Sequence, residues 1–466
     1  MKLIFTHGYF LNEDPAEQRI MKPYPPLGIL YVSAYLKQNG FDNKIFDTTF
    51  SSKNELKNYL VDEKPDYLAI YVNLMTKLNV LEIINFIKAS DATKRTKIIL
   101  GGPEIRYNAT DLLEHGADYL VIGEGEATTL ELIQSLERNH ENELNMVNGI
   151  GFKHQSGEII FTPERKLINN IDELPLPNRS AIELSSYQNA WKKHHGLDAV
   201  SVSTMRGCPY TCRWCSRAVY GLSYRRKSAQ KVVEELKHLQ EKYSPDTIWF
   251  VDDVFTISHK WLAEFNSELK SKNLKLKYEC ITRADRMNEE VIKTMKESGC
   301  FRVWIGAESG SQRIIDAMDR RVKVTQVREM IQLAKKYGIE TGTFIMLGYP
   351  GETEKDIEET IKHLKLSDPD HFTITVAYPI KGTEFFEEIE ASQITSFNWA
   401  KNTDRDREFV RTYSKKYYDF AVRRVVNEVK YNKVLNNGSI NSGLISFKLK
   451  SFAAKAGMLW TRNFNG

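Results

Sequence analysis

Three cysteines lie close together near the middle of the 466-residue chain. Cys208, Cys212 and Cys215 occur in the stretch MRGCPYTCRWCSRAVYG, with the spacing C-x3-C-x2-C. Thiolates this close, in a loop that follows a strand, can bind one metal centre. A structural zinc ion normally takes four protein ligands, so a zinc site here would also need Cys280 or Cys300. Three ligands suit a [4Fe–4S] cluster better, because one iron then stays open to bind another molecule.

Polar and charged residues follow several other strand-like runs. Asp252 and Asp253 come after TIWFV, and Arg283 comes after KYECIT. Glu308 and Ser309 stand in GAESGS, after FRVWI. Each has a structural alternative, such as a helix cap for Asp253 or an ion pair with a nearby carboxylate for Arg283.

The elements that must position these residues recur between residues 200 and 385. Six strand-like runs, with helical segments between most of them, are DAVSVSTMRG, TIWFVDDVF, KYECITRAD, FRVWIGAES, ETGTFIMLGYP and HFTITVAYP. This alternation predicts an α/β fold with a partial (β/α)6 barrel, in which functional residues lie at the C-terminal ends of the strands. Cys280 and Cys300 are predicted to be small buried residues of barrel strands.

Residues 1–140 also alternate between strand-like and helix-like segments. PLGILYVSAYLKQNG repeats apolar residues at intervals of three and four and ends at Gly40, which is typical of a helix with a C-terminal glycine. The region is therefore predicted to be a doubly wound, Rossmann-like domain with a parallel sheet and helices on both faces. No G-x-G-x-x-G follows the first strand, which argues against a dinucleotide site.

Two further regions lack this alternation. Residues 141–199 contain the hairpin-like FKHQSGEIIFTPER and the proline-containing IDELPLPNRSAIEL, which predict a connector. Residues 386–466 are predicted to form a helical region, in which REFVRTYSKKYYDFAVRRVVNEVK is predicted to be an aromatic-rich helix. Within it, residues 401–466 hold 14 Lys or Arg against 5 Asp or Glu, so this tail is basic.

The basic tail ends in GLISFKLKSFAAKAGMLWTRNFNG, which offers Phe447, Phe452, Leu459 and Trp460 to one helix face. The plain interpretation is a solvent-exposed helical region that caps the barrel. The alternative is an interfacial helix that contacts an anionic membrane or an anionic substrate.

Composition limits the class of protein. With 41% hydrophobic and 27% charged residues the chain is ordinary for a globular protein, and a net charge of +4 gives no reason to expect nucleic acid as a partner. No apolar run is long enough for a transmembrane helix, and the start lacks a signal-peptide core, so we expect a cytoplasmic protein. An odd number of cysteines, five, does not suggest a disulfide framework.

The cysteine motif after the first barrel strand, with an aromatic residue before its last cysteine, resembles that of the radical S-adenosylmethionine (SAM) superfamily. The resemblance implies that the three cysteines bind a [4Fe–4S] cluster and that SAM binds its open iron and is cleaved to a 5′-deoxyadenosyl radical. It also implies SAM-binding residues at the strand ends, and GYPGET resembles the segment near adenine. The residues so assigned are Asp252 and Asp253 for the amino group, Arg283 for the carboxylate, and Glu308 and Ser309 for the ribose.

The N-terminal domain, with PYPPLGILYVSAYLKQNG, LGGPE and VIGEGE, resembles that of the cobalamin-binding class of radical SAM enzymes. This resemblance covers residues 1–385. It implies that cobalamin lies over the strand ends, against residues in three turns: Asn73 and Thr76, Gly101 and Gly102, and Gly123, Glu124 and Gly125. The Asp-x-His-x-x-Gly signature of other cobalamin proteins is absent, so we expect no histidine ligand to cobalt. The same absence would fit a domain that has lost cobalamin and serves as a scaffold.

The resemblance implies methylation of an unactivated carbon, or of phosphorus, in a small, hydrophobic or anionic substrate. It also implies an electron donor such as flavodoxin or ferredoxin. The alternative within the class is radical oxidation, cyclisation or rearrangement without methyl transfer. An alternative from another class is a non-enzymatic cobalamin or redox sensor. Asp252, Asp253 and Arg283 argue against it, because a sensor would not need a SAM site. The sequence assigns no catalytic acid or base, no particular substrate and no oligomeric state.

Overall fold

The computed structural model describes residues 1–138, 141–390, 397–436 and 442–462. Its strands are β1 (Leu3–His7), β2 (Lys44–Ile45), β3 (Tyr67–Tyr71), β4 (Lys97–Gly101), β5 (Tyr119–Val121), β6 (Ile150–Lys153), β7 (Ile159–Phe161), β8 (Ala199–Val202), β9 (Met205–Arg206), β10 (Arg225–Arg226), β11 (Thr247–Phe250), β12 (Tyr278–Thr282), β13 (Cys300–Glu308), β14 (Glu340–Leu347) and β15 (His371–Val376).

The helices alternate with these strands through most of the chain, as the sequence predicts. They are α1 (Pro15–Ile20), α2 (Leu27–Gln38), α3 (Lys53–Glu63), α4 (Lys77–Ala89), α5 (Ile105–Glu114), α6 (Gly125–Glu137), α7 (Leu184–His195), α8 (Ala229–Tyr243), α9 (His259–Ser271), α10 (Glu289–Glu297), α11 (Gln312–Ala317), α12 (Val324–Lys336), α13 (Glu354–Ser367), α14 (Glu384–Glu390), α15 (Lys415–Asn436) and α16 (Ser442–Thr461).

The chain divides into two compact units. The first comprises residues 1–209 and 216–248 together with a short late segment, 397–406. The second comprises residues 210–215 and the remainder of the described chain after residue 248.

The first unit is built on a seven-stranded sheet in the order β2-β1-β3-β4-β5-β6-β7. Strands β1 to β5 pair in parallel, whereas β6 and β7 continue the sheet as an antiparallel hairpin. One face of the sheet packs against apolar residues of α3, α4 and α5, and the other packs against α2 and α6. This is the predicted doubly wound arrangement with helices on both faces.

Local sequence signals explain where helices of the first unit begin and end. Helix α2 ends at Gln38, two residues before Gly40, whose φ of 85° suits glycine and stops the helix. Helix α3 begins with a capping box, in which the Ser52 hydroxyl accepts from the Glu55 amide and the Glu55 carboxylate accepts from the Ser52 amide.

The other large sheet has six strands in the order β15-β14-β13-β12-β11-β8. The pairs β12–β13, β13–β14 and β14–β15 are parallel, and helices connect the successive strands. All six predicted strands are therefore present. Cys280 and Cys300 are 0% and 1% exposed within this sheet, which confirms that they are buried strand residues.

The C-terminal region contains two long helices, α15 and α16, that pack against each other. Gly457 permits their close approach, because a Cβ there would lie 2.5 Å from the Phe420 ring. The predicted helix from REFVRTYSKKYYDF starts later than expected, at Lys415. Phe447 is half-buried, with Lys430 over its ring, whereas Phe452 is exposed, so the prediction that the two share one helix face is wrong.

The segment 397–406 belongs to the first unit although it follows the barrel strands in sequence. The Lys77 ammonium, at the start of α4, donates to the carbonyls of Trp399 at 2.9 Å and Asn402 at 2.6 Å. Lys77 is only 1% exposed, so these bonds and the Trp399 ring, 4.7 Å from its Nζ, stabilise a buried charge. Residues 391–396, 437–441 and 463–466 of the predicted helical region lie outside the described residues.

None of the helices described is long and apolar enough to cross a membrane.

Candidate functional site

A cavity lies at the carboxyl edge of the first unit's sheet. In this sheet β1 lies between β2 and β3. The connection after β1 leads to β2 on one side, and the connection after β2 crosses back to β3 on the other side. The sheet therefore has a topological switch point between β1 and β3. Open α/β sheets bind ligands outside the carboxyl ends of the strands at such a point. A cavity of about 530 Å³ occurs here, lined by residues that follow β1, such as Tyr9, and residues that follow β3, such as Asn73.

The lining of this cavity suits a large ligand with a flat apolar part and polar edges. Tyr9, Tyr24 and Tyr71 supply aromatic surface, while Glu17 and Lys22 supply charge. Gly28, in the first turn of α2, also lines the cavity. A Cβ there would meet nothing closer than the Tyr71 ring at 3.8 Å, so packing does not account for this glycine. Its missing side chain leaves room for a ligand, and this fits a tetrapyrrole such as cobalamin.

The two polar residues predicted after β3 line this cavity. The Asn73 carboxamide oxygen accepts from the backbone amides of Met75 and Thr76, each at 3.0 Å. The Thr76 hydroxyl in turn accepts from the Asn73 amide at 3.1 Å. These bonds hold the turn into α4 and present both residues at the cavity. Their contact with cobalamin stays a prediction.

His7 lies at the end of β1 and lines the cavity, but both its ring nitrogens have partners. Nε2 lies 2.9 Å from Asp47 Oδ1, and Nδ1 lies 2.9 Å from the Thr48 hydroxyl. Burial alone would raise the pKa of Asp47, but the hydrogen bonds from His7 and Tyr187 outweigh burial and lower it. Both ring nitrogens of His7 are therefore engaged. The expectation that no histidine binds cobalt stays a prediction.

The predicted glycine turns after β4 and β5 lie outside the lining of this cavity, and packing explains part of them. Gly102 has a φ of 116°, and a Cβ there would lie 2.4 Å from the Val72 carbonyl oxygen. A Cβ at Gly125 would lie 2.9 Å from the side chain of Val32 on α2. At Gly101, by contrast, an added Cβ would meet nothing closer than 3.9 Å. Contact of Gly101, Gly102, Gly123 and Gly125 with cobalamin stays a prediction.

Glu124 and Glu126, in the same turn as Gly123, bind two arginines that flank the cysteine loop. Arg206 and Arg225 pair with each other across β9 and β10, directly before and after the loop 207–224. The Glu124 carboxylate accepts from Arg206 Nη1 at 2.8 Å and from Arg225 Nη1 at 2.7 Å. Arg206 also binds Glu126 through two nitrogens. The GEGE segment therefore fastens both ends of the loop that carries the cysteines.

This network is buried. Glu124, Glu126 and Arg206 are 6%, 3% and 8% exposed. Burial would lower the pKa of Arg206, but the charge of Glu126 and its hydrogen bonds to both carboxylates outweigh burial and raise it. A buried pair with this geometry loses much stability when one partner is removed, because the remaining charge is left without compensation.

In the second unit, one sulfur of the cysteine loop lies beside two guanidinium groups. Cys212 is 5% exposed, and its Sγ accepts from Arg283 Nη1 at 3.6 Å and from Arg320 Nη1 at 3.7 Å. Two guanidinium groups therefore place positive charge directly beside one sulfur of the cysteine motif.

Arg283 directly follows β12, as the sequence predicts, and is 2% exposed. Its Nε donates to Asp285 Oδ1 at 2.8 Å, the ion pair considered above as the structural alternative. Its Nη2 donates to the Arg320 carbonyl at 2.6 Å, and its guanidinium lies 3.9 Å from the centre of the Tyr210 ring. Arg283 therefore holds the cysteine loop and the Arg320 turn together, and its predicted contact with the SAM carboxylate stays untested.

Glu308 occupies a strained position at the end of β13. Its φ is 63°, and the pairing of β13 with β14 shifts by one residue between Gly306 and Glu308. A left-handed conformation at a residue with a side chain costs about 1 kcal/mol or more, and such strain is concentrated at functional sites. The carboxylate lies 3.6 Å from Arg320 Nη2. Burial raises the pKa of Glu308 although Arg320 and Arg283 oppose this.

Asp252 and Asp253 follow β11 as predicted. Asp252 is 2% exposed, whereas Asp253 reaches solvent. Protein around the Asp253 carboxyl and the neighbouring charge of Asp252 raise the pKa of Asp253. Two adjacent carboxylates at a strand end offer acceptors for an ammonium group, which would relieve their repulsion.

Ser309 is buried and makes local bonds. Its hydroxyl lies 3.3 Å from the Thr360 hydroxyl on α13 and accepts from the Ser311 amide at 3.1 Å. A Cβ at Gly310 would lie 2.4 Å from backbone atoms of α13, so this turn packs tightly against the helix. The structure gives Ser309 a role in fixing the turn after β13, and its predicted contact with ribose stays untested.

The GYPGET turn after β14 contains a buried carboxyl group. Glu352 Oε2 accepts from the Gly348 amide at 2.6 Å, and Oε1 has no hydrogen-bond partner among the described residues. Burial raises the pKa of Glu352 from 4.5 to about 8. A neutral carboxyl group is therefore the form that the turn accommodates best at neutral pH.

The part of the cysteine loop in the second unit, residues 210–215, is fastened to the turn after α11. The Thr211 hydroxyl donates to Asp319 at 2.8 Å, and the Arg213 amide donates to the Met318 carbonyl at 3.2 Å. Trp214 packs against an apolar cluster that includes Met318 and Tyr349. In the described residues no three His, Cys, Asp or Glu side chains already stand at metal-binding distance. That Cys208, Cys212 and Cys215 hold the cluster therefore rests on their spacing and stays a prediction.

Sequence reasoning missed Arg320, Gly28 and the partners of the GEGE segment. Arg320 lies in DAMDRRV, directly after the helix that follows GAESGS, and its charge so close to a predicted site was a usable signal. Burial would lower the pKa of Arg320, but the charges of Glu308 and Cys212 outweigh burial and raise it. Gly28 stands in PPLG at the start of a predicted helix, where a glycine has no helical advantage.

The chain is similar to known proteins over most of its length. Residues 202–364 match the model of the radical SAM superfamily, and residues 19–133 match that of the B12 binding domain. An uncharacterised methyltransferase of Pyrococcus horikoshii is 31% identical over 392 residues, which cover 82% of this chain and 82% of that protein. The chain belongs to the family of cobalamin-dependent radical SAM methyltransferases.

Other proteins similar to this chain are named for other activities. The anaerobic magnesium-protoporphyrin IX monomethyl ester cyclase of Rubrivivax gelatinosus is 25% identical over 86% of this chain and 72% of that protein. Among solved structures, the cobalamin-dependent SAM radical enzyme OxsB with aqua-cobalamin bound has a TM-score of 0.75, with 18% identity over 97% of this chain and 72% of that chain. This likeness shows the fold, a B12-binding domain followed by a radical SAM domain.

Family membership confirms the predicted cofactors, a [4Fe–4S] cluster, SAM and cobalamin. It also makes the chain an enzyme and sets aside the alternative of a non-enzymatic sensor. The cavity at the switch point, with Gly28 open towards it, fits cobalamin. The Cys212 sulfur beside two guanidinium groups fits an anionic iron–sulfur cluster.

Proposed function

We propose that this enzyme methylates an unactivated carbon, or phosphorus, of a small hydrophobic or anionic molecule. The observation that carries this proposal is the cavity at the β1–β3 switch point, most of whose lining belongs to the region that matches the B12 binding domain. Radical SAM chemistry by itself needs no second cofactor site. A cavity that is suited to cobalamin has a purpose if cobalamin carries the methyl group, so the cavity favours methyl transfer.

The residues that would bind cobalamin lie in the first unit. Asn73, Thr76 and Gly28 would hold cobalamin at the sheet edge, with Tyr9 and Tyr71 as its apolar surroundings. When bound, the cluster and SAM supply the radical that removes a hydrogen atom from the substrate, and cobalamin supplies the methyl group. The protein's own contribution is to orient these groups and exclude water.

Residues of the barrel strands would bind the cluster and SAM. The thiolates of the cysteine motif would hold three irons. Asp252 and Asp253 would accept hydrogen bonds from the SAM ammonium. Arg283 and Arg320 would balance negative charge at the cluster and the SAM carboxylate, and Glu308 would accept from the ribose hydroxyls.

A second candidate function is radical oxidation or cyclisation without methyl transfer. The relative from Rubrivivax gelatinosus, which aligns with 86% of this chain, is named as a cyclase and favours this candidate. The two functions differ in what happens to SAM. Methyl transfer uses one SAM as methyl donor, leaving S-adenosylhomocysteine, and cleaves a second to methionine and 5′-deoxyadenosine. Cyclisation uses only the second reaction.

Each cleavage of SAM takes one electron, and restoring the methyl carrier after each transfer to a substrate radical takes another, so turnover needs an electron source. We therefore propose a low-potential protein donor such as flavodoxin or ferredoxin. None of the five cysteines, all of which lie among the described residues, forms a disulfide. This is typical of a reducing compartment and supports action in the cytoplasm.

The experiment is an anaerobic turnover with SAM labelled in its methyl group, a reductant, and fractionated small-molecule extracts as substrate. We expect one fraction to stimulate 5′-deoxyadenosine and S-adenosylhomocysteine in equal amounts, with label in a new product. Formation of 5′-deoxyadenosine and an unlabelled product would favour the cyclase-type reaction instead. Cys212→Ser serves as the control that should form neither.

A further inference from the structure

The C-terminal helix α16 exposes a row of large apolar side chains. Ile445, Leu449, Phe452 and Trp460 are 64%, 65%, 69% and 73% exposed, and Leu459 is 55% exposed. Single exposed apolar residues are common on protein surfaces, but a continuous row of five on one helix is not.

These side chains form a single stripe. An α-helix turns about 100° per residue, so positions separated by four, three, seven and one residues fall within an arc of about 100°. The opposite face of α16 is buried, with Ser451, Ala454 and Met458 at 3%, 4% and 1% exposure. The inward face thus packs on the protein and the outward stripe faces solvent.

The charges on α16 are all positive. The helix carries Lys448, Lys450 and Lys455 and no Asp or Glu, and Arg462 follows its last residue. By the same helical geometry Lys448 and Lys455 flank one edge of the stripe and Lys450 lies beyond the other. Lys450 and Lys455 are exposed, while Lys448 pairs with Glu428 at 3.0 Å. Long lysine side chains at the edges of an apolar stripe can reach phosphate groups while their stems stay in apolar surroundings.

We propose that α16 lies in the interface of an anionic lipid bilayer, with its apolar stripe among the acyl chains and its lysines at the phosphate groups. Helices that bind in this way combine an apolar face with cationic flanks and often carry a tryptophan at the level of the head groups. The charge pattern favours a lipid surface over a second copy of this chain, because two such helices would bring like charges together. This proposal is independent of the reaction proposed above, since it rests on α16 alone.

The test is flotation of the reconstituted full-length protein with lipid vesicles. We expect binding to vesicles of phosphatidylcholine mixed with phosphatidylglycerol, and binding at least about tenfold weaker to phosphatidylcholine alone, because Lys450 and Lys455 lie exposed beside the stripe. The double variant Phe452→Ser/Trp460→Ser should lose binding to both. Lys450→Gln/Lys455→Gln should lose most of the preference for the anionic lipid.

The controls separate lipid binding from misfolding and from self-association. Leu366→Ser replaces a leucine of α13 that is 49% exposed and should leave flotation unchanged. All the variants change exposed side chains, so their melting temperatures and iron contents should match the wild type. The proposal is overturned if the protein does not float with anionic vesicles, or if Phe452→Ser/Trp460→Ser floats as well as the wild type. A wild-type dimer that this double variant dissociates in lipid-free buffer would overturn it in favour of a self-interface.

Discussion

Arg320 links the sulfur of Cys212 to the carboxylate of Glu308. Its Nη1 lies 3.7 Å from the Cys212 sulfur and its Nη2 lies 3.6 Å from Glu308 Oε1. Arg320 is 8% exposed, so little water screens either interaction. The strained residue at the end of β13 and the central cysteine of the motif therefore share one cation.

We predict that Arg320→Gln lowers the reduction potential of the cluster, by tens of millivolts. A positive charge beside a cluster ligand stabilises the reduced state, which is the more negative one, so its loss makes reduction harder. Iron content should stay near that of the wild type, while the rate of 5′-deoxyadenosine formation falls. A redox titration followed by electron paramagnetic resonance measures the potential.

Arg321→Gln is the matched control for Arg320→Gln. Arg321 is the next residue, but its side chain is 71% exposed and pairs with Asp319 at 2.8 Å. Because solvent screens the exposed Arg321, its loss should shift the potential far less than Arg320→Gln does, and Arg320→Lys should keep most of the effect of the charge. Equal potentials in the wild type and Arg320→Gln would contradict the assigned role of Arg320.

We predict that Glu126→Gln destabilises the protein by about 3 kcal/mol, because it removes one partner of a buried charge on Arg206. Glu131→Gln on the same helix is the control. Its pair with Arg165 is on the surface, since the Glu131 side chain is 44% exposed, and should cost less than about 1 kcal/mol. Urea unfolding measures both free energies. Similar small losses in the two variants would show that the GEGE segment does not hold the cysteine loop as inferred.

Deprotonation of Glu352 should lower the free energy of unfolding as pH rises. Its pKa is about 8 in the folded protein and 4.5 in the unfolded chain, so the folded state binds more protons between these values. The free energy of unfolding therefore decreases from about pH 5 to pH 8, by up to about 5 kcal/mol from this group, and the loss is complete above pH 8. Glu352→Gln should flatten this dependence in urea unfolding measured across the range. The exposed Glu387→Gln should keep the wild-type slope, and an equally steep slope in Glu352→Gln would refute the assignment.

Cobalamin bound to this protein should not use His7 as a cobalt ligand, because Asp47 and Thr48 engage both ring nitrogens. The Co(II) form of wild type and of His7→Gln should give the same electron paramagnetic resonance spectrum. A nitrogen splitting that is present in the wild type and missing in the variant would reverse this conclusion.

Periodicity and motif spacing predicted most of the fold. The strands that end at His7, Tyr71 and Glu308 could be located because short apolar runs stood between turn residues and helices of regular period. The [4Fe–4S] assignment depended on the C-x3-C-x2-C spacing, and several predicted residues do stand at strand ends, since parallel strands bring their carboxyl ends to one edge. The catalytic acid or base stays unassigned.

Long-range partners could not be predicted. Nothing local to Glu124 indicates that Arg206 and Arg225 bind it, because they are separated from it by more than 80 residues. In the sequence, Lys77 is an ordinary charged residue of a predicted helix. It is buried because segment 397–406, which is distant in sequence, packs on it within the first unit. Helix α15 begins later than predicted, because helical propensity locates the first residues of a helix poorly.

The most direct test is to reconstitute the protein anaerobically with iron, sulfide and hydroxocobalamin, remove unbound cofactors, and measure iron and cobalt per chain. We predict about four irons and one cobalt for the wild type and for Cys280→Ala, and loss of iron in Cys208→Ala, Cys212→Ala and Cys215→Ala. About four irons without cobalt would contradict cobalamin-dependent methyl transfer, and a normal iron content in any of the three loop variants would contradict the assignment of the cluster.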